Sequence, residues 1–216
     1  TYALSGDGKR LWVMLDNPNE KELANRMQLW SMNVDGGDAK QATFSWPEKG
    51  QRAIVRHIHT TYDGSSAWIY MGFNFAGGVP DSYFLLQKVT PGGKAQIIAE
   101  NTKIKGDISG AEQRITADGR SMFVVTYEGL MRFDDNGTHH LVLARKDVKY
   151  NNVHLANDNL GGLGQLVISD DGSRYALHAW FQGPRPKAPQ TILFGSPKGV
   201  QHIPLNNGDG TFGTLH

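Results

Sequence analysis

Ile115-Thr116-Ala117-Asp118-Gly119-Arg120-Ser121-Met122-Phe123-Val124-Val125 reads as a strand end, a tight Asp-Gly turn and an apolar strand. The same figure recurs as Leu4-Ser5-Gly6-Asp7-Gly8, Thr60-Thr61-Tyr62-Asp63-Gly64 and Ile168-Ser169-Asp170-Asp171-Gly172. The aspartates of the four Asp-Gly pairs fall at 7, 63, 118 and 171, so the spacings are 56, 55 and 53. A near-constant period of that size marks a repeat architecture. Two residues before each Asp stands a small hydroxyl, Ser5, Thr61, Thr116 or Ser169. A hydroxyl and a carboxylate at that spacing both accept from nearby backbone amides and pin the turn, while the Gly supplies a positive φ.

Strand residues follow each turn at the same offset: Trp12-Val13, Trp68-Ile69, Phe123-Val124 and Ala176-Leu177, with Ala176 the weak member. A second strand, a second Gly turn (Asp35-Gly36-Gly37, Pro91-Gly92-Gly93, Asn136-Gly137, Lys198-Gly199) and a short closing strand complete each unit. Four antiparallel strands per unit describe a propeller blade. The expected fold is therefore all-β: a β-propeller of four blades of four antiparallel strands, over 1–44, 53–100, 112–145 and 164–205. Residues 206–216 would be a tail or the start of a further blade.

Ser5-Gly6-Asp7-Gly8-Lys9-Arg10-Leu11, followed by Leu29 to Gln41 with its Asp35-Gly36-Gly37 turn, resembles the TolB-type propeller repeat. Thr116 to Arg120 and Ser169 to Ser173 match the first half of that repeat, although its usual proline is absent from all four copies. The resemblance implies a fold shared by periplasmic binding proteins, peptidase propellers and polysaccharide lyases, and it leans towards a periplasmic or secreted protein. It does not imply one activity. The segment Asn206-Asn207-Gly208-Asp209-Gly210-Thr211-Phe212-Gly213 resembles an FG-GAP-type repeat with oxygen ligands for Ca²⁺, but is read as a plain Gly-rich turn.

The 216 residues carry 22 basic and 21 acidic groups, a formal net charge of +1. No broad basic field is present to hold nucleic acid. No apolar run reaches the length of a membrane span. Cysteine is absent, which suits both the cytosol and an exported bacterial protein. The chain opens on Thr1, as expected of a processed protein or a piece of a longer one.

In a propeller, the loops joining strands two and three and those joining successive blades emerge at one mouth. Here these are the long ones, 16–26, 45–52, 73–82, 101–112, 145–164 and 181–190, and the Asp-Gly turns lie at the other end. In the inner strand Ala53 to Thr60, His57 and His59 are two apart and are expected to share a face with Val55, with Arg56 on the other side. Arg114 stands where His59 does, four residues before its turn Asp. Phe73 and Phe75 decorate a Gly-rich loop, Asn152 and His154 lie in the longest connection, and Arg185 lies in a proline-rich one. These residues are the candidate ligand contacts. No catalytic or metal-ligand motif stands out, and the letters name no cofactor.

Two functions remain open. One is a non-catalytic module presenting its mouth to a protein, peptide or glycan ligand. The other is a lyase or hydrolase using His57 or His59, Arg114 and His154. Ring closure leaves three options: first-to-last packing of four blades, further blades, or a homo-oligomer sharing one ring.

Overall fold

The computed structural model describes all residues except 22–25, 47–52, 74–80, 106–111, 127, 150–159, 183–188 and 206–216. Four four-stranded antiparallel meanders follow one another along the chain. Blade one holds β1 (Tyr2–Leu4), β2 (Arg10–Asp16), β3 (Met27–Asn33) and β4 (Lys40–Ala42). Blade two holds β5 (Ala53–Thr60), β6 (Ala67–Phe73), β7 (Asp81–Val89) and β8 (Gln96–Lys105). Blade three holds β9 (Gln113–Ile115), β10 (Ser121–Thr126), β11 (Gly129–Asp134) and β12 (His139–Ala144). Blade four holds β13 (Leu160–Ile168), β14 (Tyr175–Phe181), β15 (Gln190–Ser196) and β16 (Gly199–Pro204). The first strands of successive blades lie side by side, as the inner strands of a β-propeller do.

Each Asp-Gly turn is built alike. The hydroxyl of Ser5, Thr61, Thr116 or Ser169 donates to its Asp Oδ1 at 2.6 to 2.8 Å. The same Oδ1 accepts the backbone N–H two residues on, at 2.9 to 3.0 Å. The hydroxyl oxygen in turn accepts the N–H of Arg10, Ser66, Ser121 or Arg174 at 2.8 to 3.1 Å. These bonds favour the charged carboxylate. The Ser5 hydroxyl holds Asp7 below the usual range, that of Thr116 does the same for Asp118, and Ser169 with the Ser173 amide brings Asp171 down to about 2.

Successive blades are joined at these turns. The Trp12 indole Nε1 donates to the Gly64 carbonyl at 3.1 Å, and Trp68 Nε1 to the Gly119 carbonyl at 2.9 Å. Phe123, at the same offset, packs on Gly172, where a Cβ would stand 2.9 Å from the ring. Each junction encloses its own apolar core. Trp12, Met14 and Leu29 meet Ile58, Ile69 and Met71 between blades one and two. Trp68, Tyr70 and Leu86 meet Met122, Val124 and Phe133 between two and three. Phe123, Val125 and Leu130 meet Leu166, Leu177 and Phe181 between three and four.

Among the described residues, three such cores exist for four blades, and none joins blade four to blade one. The rear face of blade one leaves Tyr2 75% and Leu4 53% exposed, and the forward face of blade four leaves Val167 61% and Phe194 39% exposed. Among the described residues the four blades therefore form an open arc, without packing of blade four on blade one. This also accounts for Ala176. It sits opposite Phe194, so the aromatic of that row has moved to the neighbouring strand.

Some boundaries differ from the sequence reading. β8 runs through Lys105 because β7 begins at Asp81 and pairs with it there, so 101–105 is strand where a linker was expected. β13 begins at Leu160, which shortens the longest connection. Phe73 ends β6, paired with Tyr83, and is not a loop residue. A bulge between Val55 and His57 breaks the alternation of β5. Val55 consequently joins Ile58 in the core, and only His57 and His59 share their face.

Replacing Trp68 by Phe keeps most of the buried ring and orphans the Gly119 carbonyl. The expected cost is about 1–3 kcal/mol in urea unfolding, whereas Trp68→Ala should cost about 3–5 kcal/mol.

Candidate functional site

The polar side chains of the inner strands converge between blades two and three. His57 is exposed and His59 half-buried, and their rings lie 5.9 Å apart at 24°. His59 Nε2 stands 3.2 Å from Gln113 Oε1 on β9. A carbonyl oxygen only accepts, so Nε2 carries the proton in this arrangement. Burial pushes the His59 imidazole down to about 4; the Gln113 bond opposes this, while His57 and Arg114 add to it. The neutral ring is thus the form the site holds near pH 7.

Arg114 is exposed, donates to the Gln113 carbonyl at 2.7 Å and pairs with Glu112 at 3.4 Å. The inner strands thus present the exposed His57 imidazole, stacked on His59, on one blade and an Arg–Glu pair on the next. Chemically these groups can take hydrogen bonds and charge from a ligand. His59 serves as a tie between the blades.

Gln113 was not picked out from the sequence, although a signal existed. Five residues before the turn Asp, blades two and four carry the buried Ile58 and Leu166, so a polar residue at that place asks for a partner. Trp180 was also missed as a contact. Gly161 and Gly162 leave room for its indole, and His178 beside it bonds Gln190 at 3.0 Å. The Gly-Gly-Leu-Gly run of β13 opposite His178 and Trp180 was the signal.

Arg56 lies at the β5 bulge and Phe73 at the end of β6, and for both only the backbone is described. Phe75, Asn152, His154 and Arg185 lie outside the described residues, as does the 206–216 tail. Among the described residues no cluster of three or more His, Asp or Glu is placed to hold a metal ion. A groove of about 640 Å³ at the outer rim runs between β12 and β16, lined by Lys146, Asp147, Lys149 and His202 among apolar residues.

No family profile matches the chain, and no curated protein matches it. Solved structures do. The chain is similar to Kuenenia stuttgartiensis hydrazine synthase, at 14% identity and a TM-score of 0.50, over 96% of this chain and 54% of that one. It is equally similar to prolyl oligopeptidase B from Galerina marginata, at 14% identity and 0.50, over 96% of this chain and 27% of that one. A putative 6-phosphogluconolactonase from Bacteroides uniformis aligns at 15% identity and 0.44, over 95% and 55%. The chain thus spans about half the length of the first and about a quarter of the second. The fold is of the β-propeller type. Identities this low carry the architecture and no chemistry.

The depressed His59 pKa has a consequence for stability. Above pH 6.5 both folded and unfolded chains leave this ring neutral, and its contribution is present. As pH falls from 6.5 towards about 4, only the unfolded chain takes the proton, and that contribution is lost. The urea midpoint should therefore drop over that window, and His59→Gln should flatten the drop.

Proposed function

We propose that the chain is a non-catalytic binding module of TolB-like type, exported to the periplasm or secreted. Its loop-rich mouth takes a protein, peptide or glycan. The observation that carries this reading is the polarity of the blades. Every Asp-Gly turn is locked by its own hydroxyl and carboxylate at one end, and the broad connections all leave from the other end. A rigid plain end and a varied opposite end are the layout of a scaffold that carries its contacts on loops. The best-placed proton acceptor, His59, is occupied in tying two blades together. His57, Arg114 and the loop residues Phe75, Asn152, His154 and Arg185 are the contacts assigned to the ligand, with Arg56 and Phe73 beside them. The likeness of the turn sequence to exported repeats supports the location.

A glycan array and an immobilised peptide library test this with the purified chain. Saturable binding is expected to fall at least tenfold in Arg185→Ala and in His154→Ala, with melting temperature unchanged. Lys198→Ala, at the plain end, should bind normally. Turnover of a polysaccharide or ester that disappears in His57→Ala or Arg114→Ala would overturn the reading.

A further inference from the structure

The second Gly turns of blades one and three are built alike. In blade one, Asn33 N–H donates to the Gly37 carbonyl at 2.8 Å and Gly36 N–H to the Asn33 carbonyl at 2.9 Å. In blade three, Asp134 N–H donates to the Thr138 carbonyl at 2.8 Å and Gly137 N–H to the Asp134 carbonyl at 2.9 Å. The glycines take φ of 86° and 87°. Before each glycine a side-chain oxygen folds back on the turn: Asp35 Oδ1 accepts Gly37 N–H at 2.8 Å, and Asn136 Oδ1 accepts Thr138 N–H at 2.9 Å. The difference is chemical. Asp35 is a carboxylate, and Asn136 is a neutral amide.

The Asn136 amide is also polarised. The Thr138 hydroxyl donates to the same Oδ1 at 2.7 Å, closer than its other acceptor, Asp134 Oδ2, at 3.3 Å. Two donors on one carbonyl oxygen stabilise the negative charge that grows there when the carbon is attacked. The next nitrogen along the chain is that of Gly137, which sets no side chain in the way. A Cβ there would meet only the Ile98 carbonyl, at 3.7 Å. Asn136, Gly137 and Thr138 are all exposed, so water reaches them.

We propose that Asn136 is a site of spontaneous deamidation, and that its isoaspartyl product loosens the junction of blades two and three. The Gly137 nitrogen leaves its bond to Asp134, gives its proton to solvent and bonds to Asn136 Cγ. The Cγ–Nδ2 bond breaks, and Nδ2 takes up a proton and departs as ammonia. Water then opens the cyclic imide, so the net exchange is water for ammonia. Opening at Cγ leaves an ordinary aspartyl residue. Opening at the backbone carbon leaves a main chain that runs through Cβ and Cγ and is one atom longer. The four Asp-Gly turns are spared, because each carboxylate is held charged by its hydroxyl and amide donors, and a charged carboxylate resists attack at carbon.

Asp35 shows that the aspartyl form fits this turn. The longer isoaspartyl chain cannot keep both backbone bonds in place. Beside it stands Asp135, whose Oδ2 accepts Lys88 Nζ at 2.9 Å and whose carbonyl accepts Gln96 Nε2 at 3.2 Å, both from blade two. Moving this turn therefore pulls on the contact between the blades. The inference rests on the turn and is independent of what the mouth binds.

Ageing the purified 216-residue chain at mildly alkaline pH, followed by trypsin and mass spectrometry of the peptide from Phe133 to Arg145, tests it. Asn136 is expected to convert mainly to isoaspartate, at least tenfold faster than any of the four turn aspartates isomerises. Thr138→Val should slow the conversion several-fold and Thr138→Ser should restore it. Asn207, which also precedes a glycine, serves as the rate standard within the same chain. The aged chain should melt below the fresh one, whereas Asn136→Asp should melt with the fresh chain and Asn136→Gln should keep its melting temperature on ageing. Asn136 left intact after Asn207 has turned over would overturn the proposal. So would an unchanged rate in Thr138→Val, or an isoaspartyl form that melts with the fresh chain.

Discussion

The architecture depends on a carbonyl that must be held still. The Gly64 and Gly119 carbonyls each accept an indole N–H from the blade before, and that bond lies inside an apolar core where an unmade one would be costly. The carbonyl can be aimed only if the turn carrying it is rigid. The glycine takes a φ of about 65 to 72° in all four turns, and the Ser/Thr–Asp pair fixes the loop on either side. The recurring turn is thus both a hairpin closure and the seat of the preceding blade's contact. The period of the sequence and the period of the fold are the same thing for that reason. An ordinary hairpin turn, facing water, would have no cause to keep its chemistry constant.

That double role explains how much was legible in the letters. The Asp-Gly period gave away the blades, their strands and the end at which the tight turns lie, because each copy must satisfy the same bonds. The misreadings fall where a local rule meets a neighbour that the local sequence does not contain. Period-two alternation places Val55 with His57 and His59, but the apolar demand of the core against blade one pulls Val55 and Ile58 inward together, and a bulge absorbs the mismatch. Composition suggested a linker at 101–105, but β7 is long enough to carry β8 with it. Ala176 seemed a weak copy of the strand pattern; the bulk it lacks is on Phe194, one strand away and eighteen positions on.

The candidate site was less legible, for a related reason. Two histidines at i and i+2 look like a chemical pair, and their rings do share a face. What decides the state of His59 is burial at the junction where it meets Gln113, 54 residues away on the next inner strand, and no spacing rule within one blade points there. Once the four copies are laid over one another, Gln113 stands out as the polar member of an otherwise apolar column. The burial that lowers the His59 pKa is then a property of the junction, not of the histidine pair. Imidazoles on a propeller's inner strands therefore need to be compared across blades before they are read as acid–base chemistry.

The same column speaks to the two ends of the arc. Tyr2, Ile58, Gln113 and Leu166 occupy one structural position, and their exposures are 75%, 6%, 2% and 0%. In three blades the position is closed over by the preceding sheet. In the first it faces water, yet the residue there is an aromatic, and Leu4, Leu11 and Val13 beside it are also apolar. A sheet face meant for solvent ordinarily alternates to polar residues on that side. A contiguous apolar face on a soluble domain instead marks contact. The forward face of blade four, at the other end of the arc, is mixed: Val167, Ile192 and Phe194 share it with His178 and Gln190. The two faces are opposite in sense and stand at homologous positions of one repeating junction, and the rear face of blade one has the composition of an interior surface. The physical demand for cover comes from that composition, and the repeating junction specifies the shape of what covers them.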